Sequence, residues 1–133
     1  MLLIALAIVP FWKTLEPIEF ARWFRQHSFL LGRIMLPLGA SATVLAVVAA
    51  SLLRPVGSPP FRWFALATAF AVAVAAICPI YFTSANAILV DGNLEASEIA
   101  VELQRWSAWH WVRTAAGLLG FLAALRGLLL YNG

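Results

Sequence analysis

The stretch RWSAWHWVRT, residues 105–114, places three tryptophans, one histidine and two arginines within ten positions of a mostly aliphatic chain. On a helix, residues three or four apart share one face, so Trp106, His110 and Arg113 form a stripe. The stripe continues through Ile99, Leu103, Gly117, Gly120 and Ala124. Small residues allow close helix approach in lipid, so we expect this face to meet the other helices and to carry an inward-facing polar site.

The position of Arg113 leaves two interpretations open. An arginine facing acyl chains would cost roughly 2.5–3.5 kcal/mol on insertion scales, so its guanidinium should either pair inside the bundle or extend to the interface. Arg113 lies about two turns into an apolar stretch, a depth that permits both arrangements. In the second arrangement, Trp106, Trp109 and Trp111 belong to the tryptophan belt that marks membrane interfaces.

Two other predicted helices carry polar side chains that are candidates for the same site. Pro79, Thr83 and Asn86 fall on one face of the third helix. The proline removes the usual donor to the carbonyl of Ala75, so we expect a local polar spot and a kink. Asn86 is the candidate buried polar group, with a simple helix-to-helix hydrogen bond as its alternative role. Arg33, at the edge of the second helix, is either a ligand-binding residue or a headgroup anchor.

Other familiar kinds of site find little support. The histidines His27 and His110 have no cysteine or carboxylate at ligand spacing beside them, so no dedicated protein metal site is expected. Haem ligation by both histidines stays open and requires that they lie at one depth. The sequence holds no Ser-His-Asp constellation, no phosphate-binding glycine loop and no dinucleotide fingerprint. These residues therefore identify no cofactor and name no reaction.

The six acidic residues fall in two regions, residues 16–19 and 91–102. We interpret them as a solvated rim, or alternatively as groups that pass protons at the mouth of the bundle. Glu102 and Arg105 are three residues apart on a predicted helix and are expected to pair. An exposed pair of this kind contributes no more than a few tenths of a kcal/mol.

Composition indicates an integral, multi-pass membrane protein. Of 133 residues, 63% are hydrophobic and 11% charged, and the mean hydropathy is +0.90. A bilayer requires about 20 apolar residues per helix, so four crossings nearly fill the chain. Several basic residues behind the net charge of +3 lie in or beside apolar runs. They indicate contact with the lipid bilayer and its headgroups rather than with nucleic acid.

We predict an all-α fold, an antiparallel four-helix bundle that forms a single transmembrane domain over residues 1–133. The spans cover about residues 1–15, 30–53, 62–88 and 106–131. The first helix is short, because only twelve residues precede Lys13. Residues 15–33 are predicted to form an amphipathic interfacial segment before the second helix. Residues 54–62, with three prolines and a glycine, are expected to contain no helix, and a second bend is expected near residues 91–96.

Four stretches of the sequence together resemble the anthrone oxygenase-like family of small four-helix membrane proteins. They are VPFWKTLEPIEFARWF, GRIMLPLGA, YFTSANAIL and LQRWSAWHWVRT, and they span nearly the whole chain. The most specific parts are Asn86 and a W-x-x-W-H/N-x-x-R-T pattern. The residues of that pattern here are Trp106, Trp109, His110, Arg113 and Thr114. Family members usually have a longer first helix, and in a chain beginning at Met1 a neighbouring subunit is expected to fill the resulting gap.

The resemblance implies a particular chemistry. For fungal members, the family implies oxidation of an anthrone to an anthraquinone by molecular oxygen, without an obvious metal or flavin. Such a reaction needs a base, an apolar aromatic slot and access for oxygen. On this resemblance, His110 is the base, and Arg113 and Asn86 are partners of the oxyanion. Trp106 and Trp109 are the walls of the slot.

Two functions of different classes remain. The first is a membrane oxidoreductase, or a binder of a hydrophobic aromatic or quinone-like ligand, with a polar pocket between the second, third and fourth helices. The second is a non-catalytic accessory or structural subunit that packs against other membrane subunits through its small-residue faces and tryptophans. Burial of His110 and of the small-residue face within one chain favours the first.

Overall fold

The computed structural model describes residues 1–53 and 55–132, and this part of the chain forms four helices. They are α1 (Ile4–Thr14), α2 (Pro17–Leu52), α3 (Pro59–Asp91) and α4 (Ala96–Tyr131). Helices α2, α3 and α4 are each long and apolar enough to cross a membrane, whereas α1 is shorter. The predicted all-α bundle with a short first helix is therefore confirmed. Arg54, the first residue of the predicted helix-free loop, lies outside the described residues.

The amphipathic segment predicted before the second helix is continuous with that helix. Helix α2 runs for 36 residues from Pro17 to Leu52. Proline suits this first position, where its missing N–H has no intrahelical partner to lose. In the first turns Phe20 and Phe24 are buried, while Arg22 and Arg25 are exposed. The segment is thus helical and amphipathic, and it continues into the apolar part of α2 without a break.

The prediction that residues 54–62 contain no helix is wrong from Pro59 onward. Helix α3 begins there, with Pro59 and Pro60 in its first turn. Proline's fixed φ is compatible with that turn, and its missing N–H is one that helix starts leave unpaired. The Ser58 hydroxyl oxygen accepts a hydrogen bond from the backbone N–H of Phe61 at 3.4 Å. Gly57 supplies the left-handed residue of the turn, with φ of +87°.

Pro79 changes the hydrogen bonding of α3, but not in the way the sequence suggests. The carbonyl of Ala75, expected to lose its donor, accepts instead from the backbone N–H of Cys78. Residues Cys78–Phe82 form a π-helical turn, and the Thr83 backbone N–H and hydroxyl both donate to the carbonyl of Cys78. Such a local adjustment lets a proline occur inside a helix without leaving buried carbonyls unpaired.

The connection between α3 and α4 lies at residues 92–95, inside the predicted bend. Gly92 has φ of +76°, and a Cβ atom there would overlap the guanidinium of Arg25. Helix α4 then starts with a capping box, in which the Glu98 carboxylate accepts from the backbone N–H of Glu95 at 2.9 Å. The reciprocal bonds satisfy two backbone donors that helix starts otherwise leave free.

The small-residue face of α4 packs closely against α3. A Cβ at Gly120 would lie 3.0 Å from the Cβ of Phe70, and one at Gly127 would lie 2.7 Å from the ring of Phe64. The stripe predicted to face the other helices is buried or half-buried from Ile99 to Ala124, which confirms that prediction. Helices α3 and α4 run in opposite directions, because Gly127 of α4 contacts Phe64 of α3, whereas the earlier Glu102 of α4 bonds the later Tyr81 of α3.

Replacing Gly127 with leucine should destabilise the bundle. The new side chain has to displace the ring of Phe64, and overpacking of this kind costs about 1–3 kcal/mol. The matched control is Gly32→Leu, because a Cβ at Gly32 meets nothing within 4 Å. Unfolding in mixed micelles, titrated with sodium dodecyl sulfate, measures both variants. Equal stability of the two variants would contradict close packing at Gly127.

An aromatic core occupies the part of the bundle where α1 meets the other helices. Trp12 is fully buried at its centre. Its ring centroid lies 5.4 Å from that of Phe20, 5.5 Å from Phe24 and 5.2 Å from Trp106. Tilted and edge-on contacts at these separations are favourable beyond simple area burial. The rings thereby tie α1, α2 and α4 together next to His110.

Candidate functional site

His110 is a fully buried imidazole with one free nitrogen. Its ring stacks on Trp106, with centroids 5.0 Å apart and planes 11° apart. Its Nε2 lies 3.2 Å from the backbone carbonyl of Met1. A carbonyl can only accept, so in the neutral ring Nε2 carries the proton and Nδ1 keeps its lone pair. Nδ1 is buried and has no hydrogen-bond partner within residues 1–53 and 55–132.

Trp106 is fixed by contacts on several sides. Its indole N–H donates to Oδ1 of Asn86 at 2.9 Å. The rings of Trp12 and Phe82 approach it edge-on, at centroid distances of 5.2 and 5.0 Å. The structure therefore brings Asn86 into the His110 group, but with its amide oxygen bound to a tryptophan.

Arg113 follows one turn after His110 on α4. Its guanidinium carbon lies 4.6 Å from the ring centroid of Phe82, a distance at which a cation is attracted to an aromatic face. Its Nε is buried and has no partner in the part of the chain that the structure describes. Among the same residues, no carboxylate lies within ion-pairing distance of Arg113. The half-buried guanidinium thus retains donors for an additional acceptor.

Thr114 links this polar group to a cavity between α2, α3 and α4. The cavity has a volume of about 600 Å³, within the range of roughly 300–1,000 Å³ that small-molecule pockets occupy. Its walls include Gly39, Ala42 and Ala46 of α2, Ala67 and Ala71 of α3, and Thr114, Gly117 and Ala124 of α4. The Thr114 hydroxyl is buried and unpartnered among the described residues. The cavity is therefore mainly apolar and carries one buried, unpartnered hydroxyl, which lies one turn from His110.

Three predicted site residues lie outside this buried group. Trp109 is 37% exposed and stacks on Tyr81, with ring centroids 5.3 Å apart. Thr83 is exposed, and its hydroxyl donates to a carbonyl of its own helix. Arg33 is exposed, with its guanidinium carbon 5.6 Å from the ring centroid of Phe29. The structure does not bring these three side chains together with His110.

A second polar group joins α3 to α4 near the rim. The Tyr81 hydroxyl donates to Oε1 of Glu102 at 2.7 Å. The other carboxylate oxygen of Glu102 accepts from Arg105 at 3.3 Å, which confirms the predicted pair. Sequence reasoning missed Tyr81, because no spacing rule relates residue 81 to residue 102. It also gave no role to Thr114, although that residue lies four positions after His110 on the same face.

Comparison with known families gives one match. The family model for anthrone oxygenase matches residues 25–123, well over half of the chain. The matched region contains Asn86, Trp106, His110, Arg113 and Thr114, whereas α1 lies before it. No curated protein and no solved structure gives a match.

Proposed function

The chain belongs to the anthrone oxygenase family, and we propose that it is a multi-pass membrane oxidoreductase that oxidises an apolar aromatic ketone of the anthrone class. One observation carries the proposal: His110 Nδ1, Arg113 Nε and Thr114 Oγ1 lie within about one turn, buried and without partners among the described residues. An unsatisfied buried polar group costs about 1–3 kcal/mol. Thr114 lines the cavity, and a ligand that extends from there toward His110 and Arg113 with a ketone oxygen and an acidic C–H would satisfy all three atoms.

The surface of the bundle supports the location in the membrane. In the most apolar stretch of α2 none of the residues is buried, and in those of α3 and α4 only 11% and 17% are. Exposing so much apolar surface to water would be unfavourable in free energy, whereas acyl chains are an equally apolar solvent. We propose that α2, α3 and α4 cross the bilayer, which also concentrates an apolar substrate and oxygen beside the cavity.

The proposed reaction converts the methylene of the anthrone to a carbonyl with one molecule of oxygen. His110 Nδ1 removes a methylene proton, and the electron pair of that C–H bond spreads onto the ketone oxygen. Arg113 and Thr114 donate hydrogen bonds to the resulting oxyanion. Oxygen adds at the carbon, and the proton held by His110 returns to the terminal oxygen, giving a hydroperoxide. Loss of the remaining C–H proton and cleavage of the O–O bond then give the quinone and one water.

An accessory subunit is the second candidate, and the exposed apolar face of α2 is the observation that favours it. In that function, the face would pack against another membrane protein. The burial of His110 and of the small-residue face of α4 within one chain supports the first candidate instead. Purification from native membranes in mild detergent separates the two, because an accessory subunit should co-purify with other subunits at fixed stoichiometry.

The direct test is oxidation of anthrone by the purified protein in lipid nanodiscs. We expect anthraquinone formation, followed by absorbance, to exceed that in nanodiscs carrying an unrelated membrane protein. Oxygen uptake should equal the quinone formed, mole for mole, as the proposed reaction requires. The control is essential because anthrones also oxidise spontaneously in air. A rate equal to the control, together with fixed-stoichiometry partners in native membranes, would replace the oxidoreductase with the accessory subunit.

A further inference from the structure

The contacts of Asn86 differ from those expected of an oxyanion partner. Its Oδ1 accepts the indole N–H of Trp106 at 2.9 Å, and Trp106 is buried. In a membrane-spanning bundle, an indole N–H without an acceptor would be left unpaired, because no water is there to replace the lost hydrogen bond. The bond therefore selects one orientation of the indole over others that fit the same apolar space.

The orientation of Trp106 in turn limits that of His110. The two rings are nearly parallel, 11° apart, and their centroids are 5.0 Å apart. Phe82 packs edge-on against both, at centroid distances of 5.0 Å from Trp106 and 6.3 Å from His110. A rotation of the indole would remove the flat surface on which the imidazole lies. It would also disturb the bond from Nε2 to the carbonyl of Met1, which determines the tautomer.

We infer that Asn86 is a positioning residue that acts on His110 through Trp106. This inference rests on the proposed function, in which the free lone pair of His110 Nδ1 takes the proton of the substrate. Asn86 fixes the indole, the indole fixes the plane of the imidazole, and the Nε2 bond keeps Nδ1 unprotonated. The chain of contacts runs from α3 to α4, so the geometry of the base depends on the packing of both helices.

Two substitutions at position 86 and one control isolate this role. Asn86→Leu keeps the size of the side chain but removes the acceptor, whereas Asn86→Asp keeps an acceptor oxygen in the same place. The control is Thr83→Val, which removes a hydroxyl one turn earlier on the same helix, where the side chain is exposed. A loss that comes from weaker α3 packing alone should not be restored by Asn86→Asp.

The first measurement requires no activity. The chain has two histidines, so ¹⁵N-histidine labelling in nanodiscs gives two imidazole signal sets, and a His27→Gln sample assigns them. The nitrogen shifts report which ring nitrogen carries the proton. We expect His110 to show the Nε2–H tautomer alone in the parent protein, in Thr83→Val and in Asn86→Asp. Asn86→Leu should show a mixture of the two tautomers.

The second measurement follows the kinetics of anthrone oxidation. In Asn86→Leu, kcat should fall about ten- to a hundredfold, since small misplacements of a reacting group cost that much. KM should stay within about twofold, because Asn86 itself is not expected to touch the substrate. Asn86→Asp should recover most of the loss in kcat. An unchanged tautomer and an unchanged kcat in Asn86→Leu would overturn the positioning role.

The two proposals fail in distinguishable ways. If Asn86→Leu produces the tautomer mixture while no variant and no parent protein oxidises anthrone, the positioning of His110 stands and the oxidoreductase function falls. If the parent protein is active and Asn86→Leu retains both the single tautomer and the parental kcat, the function stands and the positioning role is wrong.

Discussion

Replacing His110 with glutamine is expected to lower kcat for anthrone oxidation by about two to four orders of magnitude, the usual contribution of a positioned general base. Glutamine retains an N–H that can donate to the carbonyl of Met1, but it has no basic nitrogen to replace Nδ1. The substitution thus removes the lone pair while conserving a polar side chain of similar length. Stopped-flow absorbance of the quinone in nanodiscs measures the change.

His27→Gln is the matched control for this experiment. His27 stacks on Trp23 with centroids 4.6 Å apart, and its Nδ1 lies 2.8 Å from the carbonyl of the same residue. Both histidines therefore lie on a tryptophan and bond a backbone carbonyl, but only His110 is fully buried, one turn before Thr114 of the cavity wall. We expect His27→Gln to retain parental kcat. Full activity of His110→Gln, or equal losses in both variants, would exclude His110 as the base.

Periodicity and hydropathy predicted most of the fold for direct physical reasons. A segment that crosses a bilayer must pair its backbone N–H and C=O groups by internal hydrogen bonds, so long uncharged stretches form helices. The stripe from Ile99 to Ala124 was predictable because small residues are needed where two helices approach, and Gly120 and Gly127 meet Phe70 and Phe64 closely. The start of α3 differs from the prediction because proline breaks a helix only in its interior, whereas a first turn accepts it.

The same reasoning identified the centre of the candidate site but not its surroundings. His110 and Arg113 stand out as polar residues in an apolar helix, and their burial follows from sharing a face with glycines. The bond between Asn86 and Trp106 joins residues twenty positions apart, so it depends on the register of two helices rather than on local spacing. Trp12 of α1 contacts Trp106, and the shape of the cavity depends on the position of α2. Neither can be read from a one-dimensional pattern.

The molecule divides into two parts with different packing. Around α1, large aromatic rings fill the space between helices, with Trp12, Phe24 and Trp106 in contact. Beyond Thr114, α2 and α4 contribute glycine and alanine to the facing surfaces, and these side chains leave the cavity open. The polar group of α4 lies at the boundary. A planar ligand in the cavity would therefore present one edge to Thr114, one turn from His110, while its rings contact a mainly apolar wall that also includes Leu118 and Phe121.

Filling this cavity from α2 is expected to block binding without unfolding the protein. A Cβ at Gly39 meets nothing within 4 Å, and Gly39 lines the cavity, so the ring of a Gly39→Phe variant has space to enter it. We expect the Kd for anthrone to rise at least about tenfold, equivalent to roughly 1.4 kcal/mol. The unfolding free energy should stay within about 1 kcal/mol of the parent, because glycine is itself a poor helix former.

Gly32→Phe provides the comparison that makes this result specific. Gly32 lies seven residues earlier on the same side of α2, and a Cβ there also meets nothing within 4 Å, but Gly32 is not a wall of the cavity. Binding is measured without oxygen, by quenching of tryptophan fluorescence, so that anthrone is not consumed. A loss confined to Gly39→Phe places the aromatic ligand between α2 and α4. Equal affinities in the two variants would mean that anthrone binds elsewhere, because a phenylalanine ring cannot share the cavity with a three-ring ligand and leave its affinity unchanged.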